Sequence, residues 1–213
     1  LPLLTRQEVA DNRDAMAWAD VPGGLSRYNT GGSTGRPVVF YMDRRRQASY
    51  KAARIRAQIW FGVTPGDKEL YIWGSPIELS AQDRLKTLRD WLTNEKLLSA
   101  FNMSPATMTR YLDVIEDWKP TCLFGYPSSL ALLGRHAKTT GRVVDTFRLK
   151  AVMTTGELLH PHERQLIETT FNAPVADGYG SRDGGFIAHQ CPAGEYHTTD
   201  ETTIVELLDD AGR

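Results

Sequence analysis

Cysteine is scarce in this sequence: 213 residues contain only Cys122 and Cys191. Two thiols make no disulfide framework, which argues for a reducing compartment and, by default, a cytoplasmic location. Long apolar runs are missing as well, and no stretch approaches the roughly 20 residues that cross a bilayer. The opening Leu1-Pro2-Leu3-Leu4-Thr5-Arg6 has neither the basic start nor the long apolar core of a secretory signal. It also lacks an initiator methionine, which suggests an excised or processed piece. Neither sign of charge is in excess: 25 basic and 26 acidic residues give a net charge of -1. A dedicated nucleic-acid binder carries a strong basic surplus, so that class is disfavoured. The run Arg44-Arg45-Arg46 is most simply a solvated helix face. Internal repeats and low-complexity segments are absent. So is a Gly-x-Ser-x-Gly elbow, which leaves serine-hydrolase chemistry without support.

What is present is alternation. Thr5 and Glu8 have capping-box spacing and predict a helix to about residue 19, ending near Val21-Pro22-Gly23-Gly24. Residues 38–41 read as a buried strand, and Asp43 can cap a helix in which Ala48, Ala52, Ile55 and Ile59 recur at helical spacing. Further strands are expected at 70–74, 97–101, 121–125 and 150–153. Helices are expected from Ser80 or Asp83 to Leu92, after Ser104-Pro105, after the strand at 121–125, and over 161–171. Met108, Tyr111, Leu112 and Ile115 form the apolar face of the second of these helices, and Leu130, Leu132 and Leu133 lie in the third. This rhythm predicts an α/β fold with a mostly parallel sheet flanked by helices. Ligands of such sheets sit at the carboxyl ends of the strands. Trp73-Gly74, Gly125-Tyr126, Thr155-Gly156 and Tyr179-Gly180 all fall just after predicted strands, which places one site there. Beyond Gly185, short strands at 186–189, 195–197 and 203–208 suggest the start of a small antiparallel or barrel-like subdomain, with a hairpin turn at 209–213. The expected division is a core over 1–185 and a β subdomain beginning at 186–213.

The stretch Tyr28-Asn29-Thr30-Gly31-Gly32-Ser33-Thr34-Gly35-Arg36-Pro37 combines glycines, hydroxyls and a cation. A concave run of backbone N–H groups with such neighbours suits phosphate oxygens. It spells neither a Walker loop nor a sound dinucleotide fingerprint, and alone it reads equally well as a surface loop. Far downstream, Asp177-Gly178-Tyr179-Gly180-Ser181-Arg182-Asp183 forms a second Gly-rich stretch. Thr154-Thr155-Gly156-Glu157 lies between them, as does Gly125-Tyr126-Pro127-Ser128-Ser129. In this order and spacing the motifs resemble the adenylate-forming superfamily of acyl-CoA synthetases and adenylation domains. The nearest branch is the phenylacetate–CoA ligase and capsular-polysaccharide-biosynthesis-like group.

The resemblance implies ATP-dependent activation of a small-molecule carboxylic acid through an acyl-adenylate, with magnesium as cofactor and coenzyme A as co-substrate. Thr30, Gly31, Gly32, Ser33, Thr34, Gly35 and Arg36 would hold the β- and γ-phosphates. Gly156 and Glu157 would border the adenine, Tyr179 would stack on it and Asp177 would lie at its rim, within the motif that includes Gly178, Gly180 and Ser181. Asp183 would bind magnesium. It stands where the family usually has Glu, one methylene shorter, and Arg182 stands where a hydroxyl residue is common. An Arg can neutralise phosphate charge. Trp73, Phe124, Tyr126 and Pro127 would line the pocket for an aryl or other bulky acid. The resemblance covers most of the chain, yet it describes only part of such an enzyme, without the C-terminal lid. It leaves room for a homodimer. Alternatives are acyl transfer to an amine or a polysaccharide precursor, and a non-catalytic nucleotide-binding module. A zinc site from His189, Cys191 and His197, with Cys122 as fourth ligand, is a further option against a strand histidine and a buried free thiol.

Overall fold

Burial decides where the strands lie. Cys122–Gly125 and Ala151–Thr155 are buried at every residue, as suits the middle of a parallel sheet covered on both faces. The structure, a computed structural model, describes residues 4–29, 38–74 and 93–209. The Gly-rich stretch Thr30 to Arg36, the helix expected to end at Leu92 and most of the turn at 209–213 lie outside the described residues.

In chain order the elements are α1 (Arg6–Asn12), β1 (Ser26–Asn29), β2 (Val39–Met42), α2 (Arg44–Trp60), β3 (Glu69–Trp73) and β4 (Glu95–Ser99). There follow α3 (Pro105–Trp118), β5 (Cys122–Gly125), α4 (Pro127–Thr139), β6 (Ala151–Thr155) and α5 (Pro161–Phe171). Three strands close the list: β7 (Val175–Ser181), β8 (Gly185–Gln190) and β9 (Tyr196–Thr198). The main sheet has the order β4-β3-β5-β6-β7-β8-β9. Its first five strands are parallel neighbours, and β8 pairs antiparallel with β9. A second sheet pairs β1 with β2 antiparallel, Tyr28 opposite Phe40 and Asn29 opposite Val39. The fold is the expected α/β one.

The chain forms two compact units. The larger comprises Ile55–Tyr179 and Ala188–Thr198. Its core takes Leu70 and Ile72 from β3, Leu123 from β5, Val152 from β6 and Val175 from β7. Helix α3 begins where Ser104 Oγ accepts from the Thr107 amide at 3.3 Å with Pro105 in the first turn, and ends at Lys119 in the left-handed region (φ 52°). Its predicted apolar face, Met108, Tyr111, Leu112 and Ile115, is buried. Helices α4 and α5 approach closely at Gly134, where a Cβ would lie 3.0 Å from Thr170 Oγ1 and 3.3 Å from Leu166.

The smaller unit comprises Leu1–Arg54, Gly180–Ile187 and Thr199–Arg213. The capping box at its start is formed: Thr5 Oγ1 accepts from the Glu8 amide at 3.2 Å, and the Glu8 carboxylate accepts from the Thr5 amide at 2.7 Å. Yet α1 stops at Asn12 rather than near residue 19. None of its residues is buried, so no packed face extends the helix beyond what its cap nucleates. Strand β2 is half-buried rather than buried, because it belongs to a two-stranded sheet. The strand expected at 203–208 does not form. Ile204 and Leu207 are exposed there, and no strand pairs with them among the described residues.

The core assignment has a direct test. Ile115→Ala removes a fully buried side chain and is expected to cost about 2–5 kcal/mol in urea unfolding, whereas Leu158→Ala at an exposed position should stay within about 0.5 kcal/mol.

Candidate functional site

Parallel pairing sets the carboxyl ends of neighbouring strands side by side. In register, Ile72 of β3 faces Gly125 of β5, Gly125 faces Thr154 of β6, and Thr154 faces Asp177 of β7. The residues that follow each of these therefore emerge along one edge of the sheet. Three predicted pocket residues meet on that edge. The rings of Trp73 and Tyr126 stack with centroids 3.9 Å apart, and Trp73 and Phe124 meet at 5.5 Å in a tilted pair. Phe124 is buried, whereas Trp73 and Tyr126 are half-buried and keep one side towards the surface. Pro127, the fourth, is buried as the first residue of α4.

Gly156 closes this aromatic group. Its φ of 84° favours glycine, and a Cβ there would lie 3.1 Å from the Tyr126 ring and 3.4 Å from Trp73. The Glu157 carboxylate accepts from the Ser128 amide at 3.1 Å at the start of α4. An anion satisfying the free amides of a helix N-terminus is favourable. Thr154 Oγ1 donates to Asp177 Oδ1 at 2.8 Å, and Thr155 Oγ1 donates to the Gly178 carbonyl at 2.6 Å. Asp177 also accepts from Tyr196 Oη at 2.6 Å through Oδ2. Burial, and secondly this bond to the carboxylate, push the Tyr196 hydroxyl up to about 12. Tyr179 is 64% exposed and presents a bare ring. It lies inside β7, as does Gly180, not after the strand as their spacing suggested, because β7 runs on to Ser181.

The smaller unit holds the rest of the second motif. Gly184 donates its amide to Ser181 Oγ at 2.9 Å, closing a tight turn with Arg182 and Asp183 at its exposed tip. Burial opposes the charge on Asp183. Hydrogen bonds from Ser181, its own amide and the Gly184 amide, together with the Arg46 charge, outweigh it and hold the carboxyl below the usual range. Arg46 donates from Nη2 to the Asp183 carbonyl at 3.3 Å. Nothing local in the sequence marks this role, since Arg46 sits in a run that reads as a solvated face. Tyr196 was likewise missed, for it is nineteen residues from Asp177 and meets it only through the sheet.

The zinc arrangement is not supported. His189 and His197 face each other across β8 and β9, but the described residues contain no group of three or more His, Cys, Asp or Glu side chains that could hold a metal. Cys122 is buried beside Gln58, with Nε2 to Sγ at 3.9 Å.

No protein-family profile matches the chain. A curated relative, Protein CapK of Staphylococcus aureus, is 25% identical over 212 residues, which is 97% of this chain and 46% of the relative. Among solved structures, 2-hydroxyisobutyryl-CoA ligase in complex with 2-HIB-AMP and CoA aligns with a TM-score of 0.74 at 20% identity, over 99% of this chain and 46% of that one. The anthranilate CoA ligase AuaEII in complex with anthranoyl-AMP aligns at 0.60 and 16% identity, over 90% and 37%. The chain thus spans less than half the length of the proteins it matches, and it has the fold of that part of the adenylate-forming CoA ligases.

His189 gives this region a pH signature. Burial, and then the charge of Arg56, hold its imidazole down to about 4. The unfolded chain takes up that proton near 6.5, so the contribution to stability is complete above pH 6.5 and is lost as pH falls towards 4. The thermal midpoint should drop by several degrees between pH 7 and pH 4.5. His189→Phe should flatten that dependence, as followed by circular dichroism.

Proposed function

We propose that this chain is the nucleotide- and acid-binding part of an ATP-dependent carboxylic acid ligase that forms an acyl-adenylate and passes the acyl group to coenzyme A. The observation that carries this reading is the shared sheet edge of the larger unit, where a stacked aromatic pair and a left-handed glycine sit at the carboxyl ends of neighbouring parallel strands and an exposed Tyr179 lies in the next one. Aromatic clefts with a few fixed polar groups suit small ligands. The fold shared with the CoA ligases supports the reaction class.

In this reading Tyr179 offers its open face to the adenine, while the Gly156 backbone borders the base. Thr154 and Tyr196 hold Asp177 in one orientation at its rim. Trp73, Phe124 and Tyr126 form an apolar wall for the acid, and an aryl group would stack well there. Thr30 to Arg36 retain their proposed part at the β- and γ-phosphates. A carboxylate oxygen of the acid attacks the α-phosphorus, and the bond to pyrophosphate breaks. Arg182 supplies positive charge opposite the phosphate oxygens on which negative charge builds up. The thiol sulfur of coenzyme A then attacks the acyl carbon, AMP leaves, and the thiol proton passes to solvent.

The residues of the 181–185 turn fit magnesium. Asp183 is a hard oxygen donor kept ionised by its neighbours, and magnesium is commonly held by one or two carboxylates together with substrate phosphates. When bound there it would neutralise phosphate charge.

A second reading keeps the adenylation step and passes the acyl group to an amine or a polysaccharide precursor instead. Product analysis with and without coenzyme A in the full-length protein separates the two. Both readings require adenine-selective binding, which calorimetric titration with ATP, AMP and GTP in the presence of magnesium measures. Asp183→Ala should weaken the magnesium-dependent part of ATP affinity about tenfold, and Gly156→Val should weaken AMP as strongly by pushing on Tyr126. Equal affinities for ATP and GTP, or ATP affinity unchanged in Asp183→Ala, would sink the respective assignments.

A further inference from the structure

Arg46 belongs to a basic run with no assigned role, yet its two neighbours on that run are exposed while Arg46 is half-buried. Three observations within the smaller unit connect it to the 181–185 turn, and a fourth anchors it from behind. Its guanidinium donates to the Asp183 carbonyl at 3.3 Å. A Cβ on Gly185 would fall on that guanidinium, so the glycine, at φ 79°, leaves the space the cation fills. The guanidinium lies 5.8 Å from the Tyr50 ring centre, and Tyr50 stacks on Phe186 at 4.5 Å, one residue beyond the turn. At its other end, the Arg46 amide donates to Asp43 Oδ1 at 2.7 Å, which fixes the first turn of α2. Arg46 is held from behind and reaches the turn through a bond, a shape fit and a ring.

We infer that Arg46 is a positioning residue: it locks the 181–185 turn in one conformation and thereby presents Asp183 and Arg182 to the phosphate–metal end of the ligand. The inference rests on the proposed nucleotide function for its ligand, but not for its structural half. A planar guanidinium is required because it fills the Gly185 space and reaches the carbonyl while resting by Tyr50. An ammonium on a flexible stem supplies the charge with poorer geometry. The basic residue next to it, Arg45, is exposed and serves as the control.

The test combines hydrogen exchange of the 181–186 amides, without ligand, with calorimetric titration of magnesium–ATP. Variants are Arg46→Gln, Arg46→Lys and Arg45→Gln, each checked for folding by circular dichroism. Arg46→Gln is expected to speed exchange in the turn about tenfold while α3 and α4 amides stay unchanged. It should also weaken magnesium–ATP binding about tenfold, with Arg46→Lys recovering part of both losses and Arg45→Gln matching the wild type. Unchanged exchange in Arg46→Gln overturns the inference, whatever the nucleotide does. Faster exchange with undiminished binding, where Asp183→Ala does lose binding, also overturns it, because the order of the turn then has no bearing on the ligand. If the wild type binds no nucleotide at all, the functional reading falls together with the ligand half of the inference. The exchange result then still reports separately whether Arg46 holds the turn.

Discussion

Everything in the larger unit depends on four parallel strands being held in one register. Backbone hydrogen bonds between β3, β5, β6 and β7 fix Ile72, Gly125, Thr154 and Asp177 in a row. Because a strand exchanges faces with every one-residue shift, a slip at any pair would bury the wrong side chains and scatter the residues beyond the row. The buried runs of β5 and β6 make such a slip costly. Gly125 tightens the constraint, since a Cβ there would come within 2.9 Å of the Ile72 carbonyl. The sheet therefore acts as a ruler. Trp73, Tyr126 and Gly156 become neighbours through it, although they are far apart in the chain, and Tyr179 follows Gly178 on the next strand.

Polar groups at that edge are held by one another. Asp177 accepts from a threonine on β6 and from a tyrosine on β9. Glu157 accepts from the first turn of α4. Fixed orientation of this kind is what a binding site needs if its groups are to meet a ligand without first reorganising. The turn at 181–185 follows the same logic on a smaller scale, with Ser181 bonding across it.

How far the sequence revealed this depends on the range of the interaction. Strands β3, β5 and β6, helices α3, α4 and α5, and the sheet type were legible because apolar periodicity and caps are local signals. The four motif positions were legible as strand ends, apart from Tyr179 and Gly180, where β7 runs longer than its turn-like composition suggests. Glycine and serine read as loop residues, yet Gly180 sits in a strand that passes the Gly185 backbone too closely to admit a side chain. Helix α1 was overextended because a cap predicts where a helix begins, not whether a buried face sustains it. Arg46 and Tyr196 were illegible for a different reason: each acts on a partner brought near only by folding, and an arginine in a basic run carries no mark of the bond it will make.

The smaller unit is assembled from three separated stretches, Leu1–Arg54, Gly180–Ile187 and Thr199–Arg213. On a ribosome, the first of these leaves the exit tunnel long before the other two have been made. At roughly 5–20 residues per second, it waits several seconds with its paired β1 and β2 still lacking those contacts. The larger unit, nearly continuous in the chain, has no such delay. Its sheet can form while the N-terminal stretch remains unfinished, so the order of synthesis runs opposite to the order of completion.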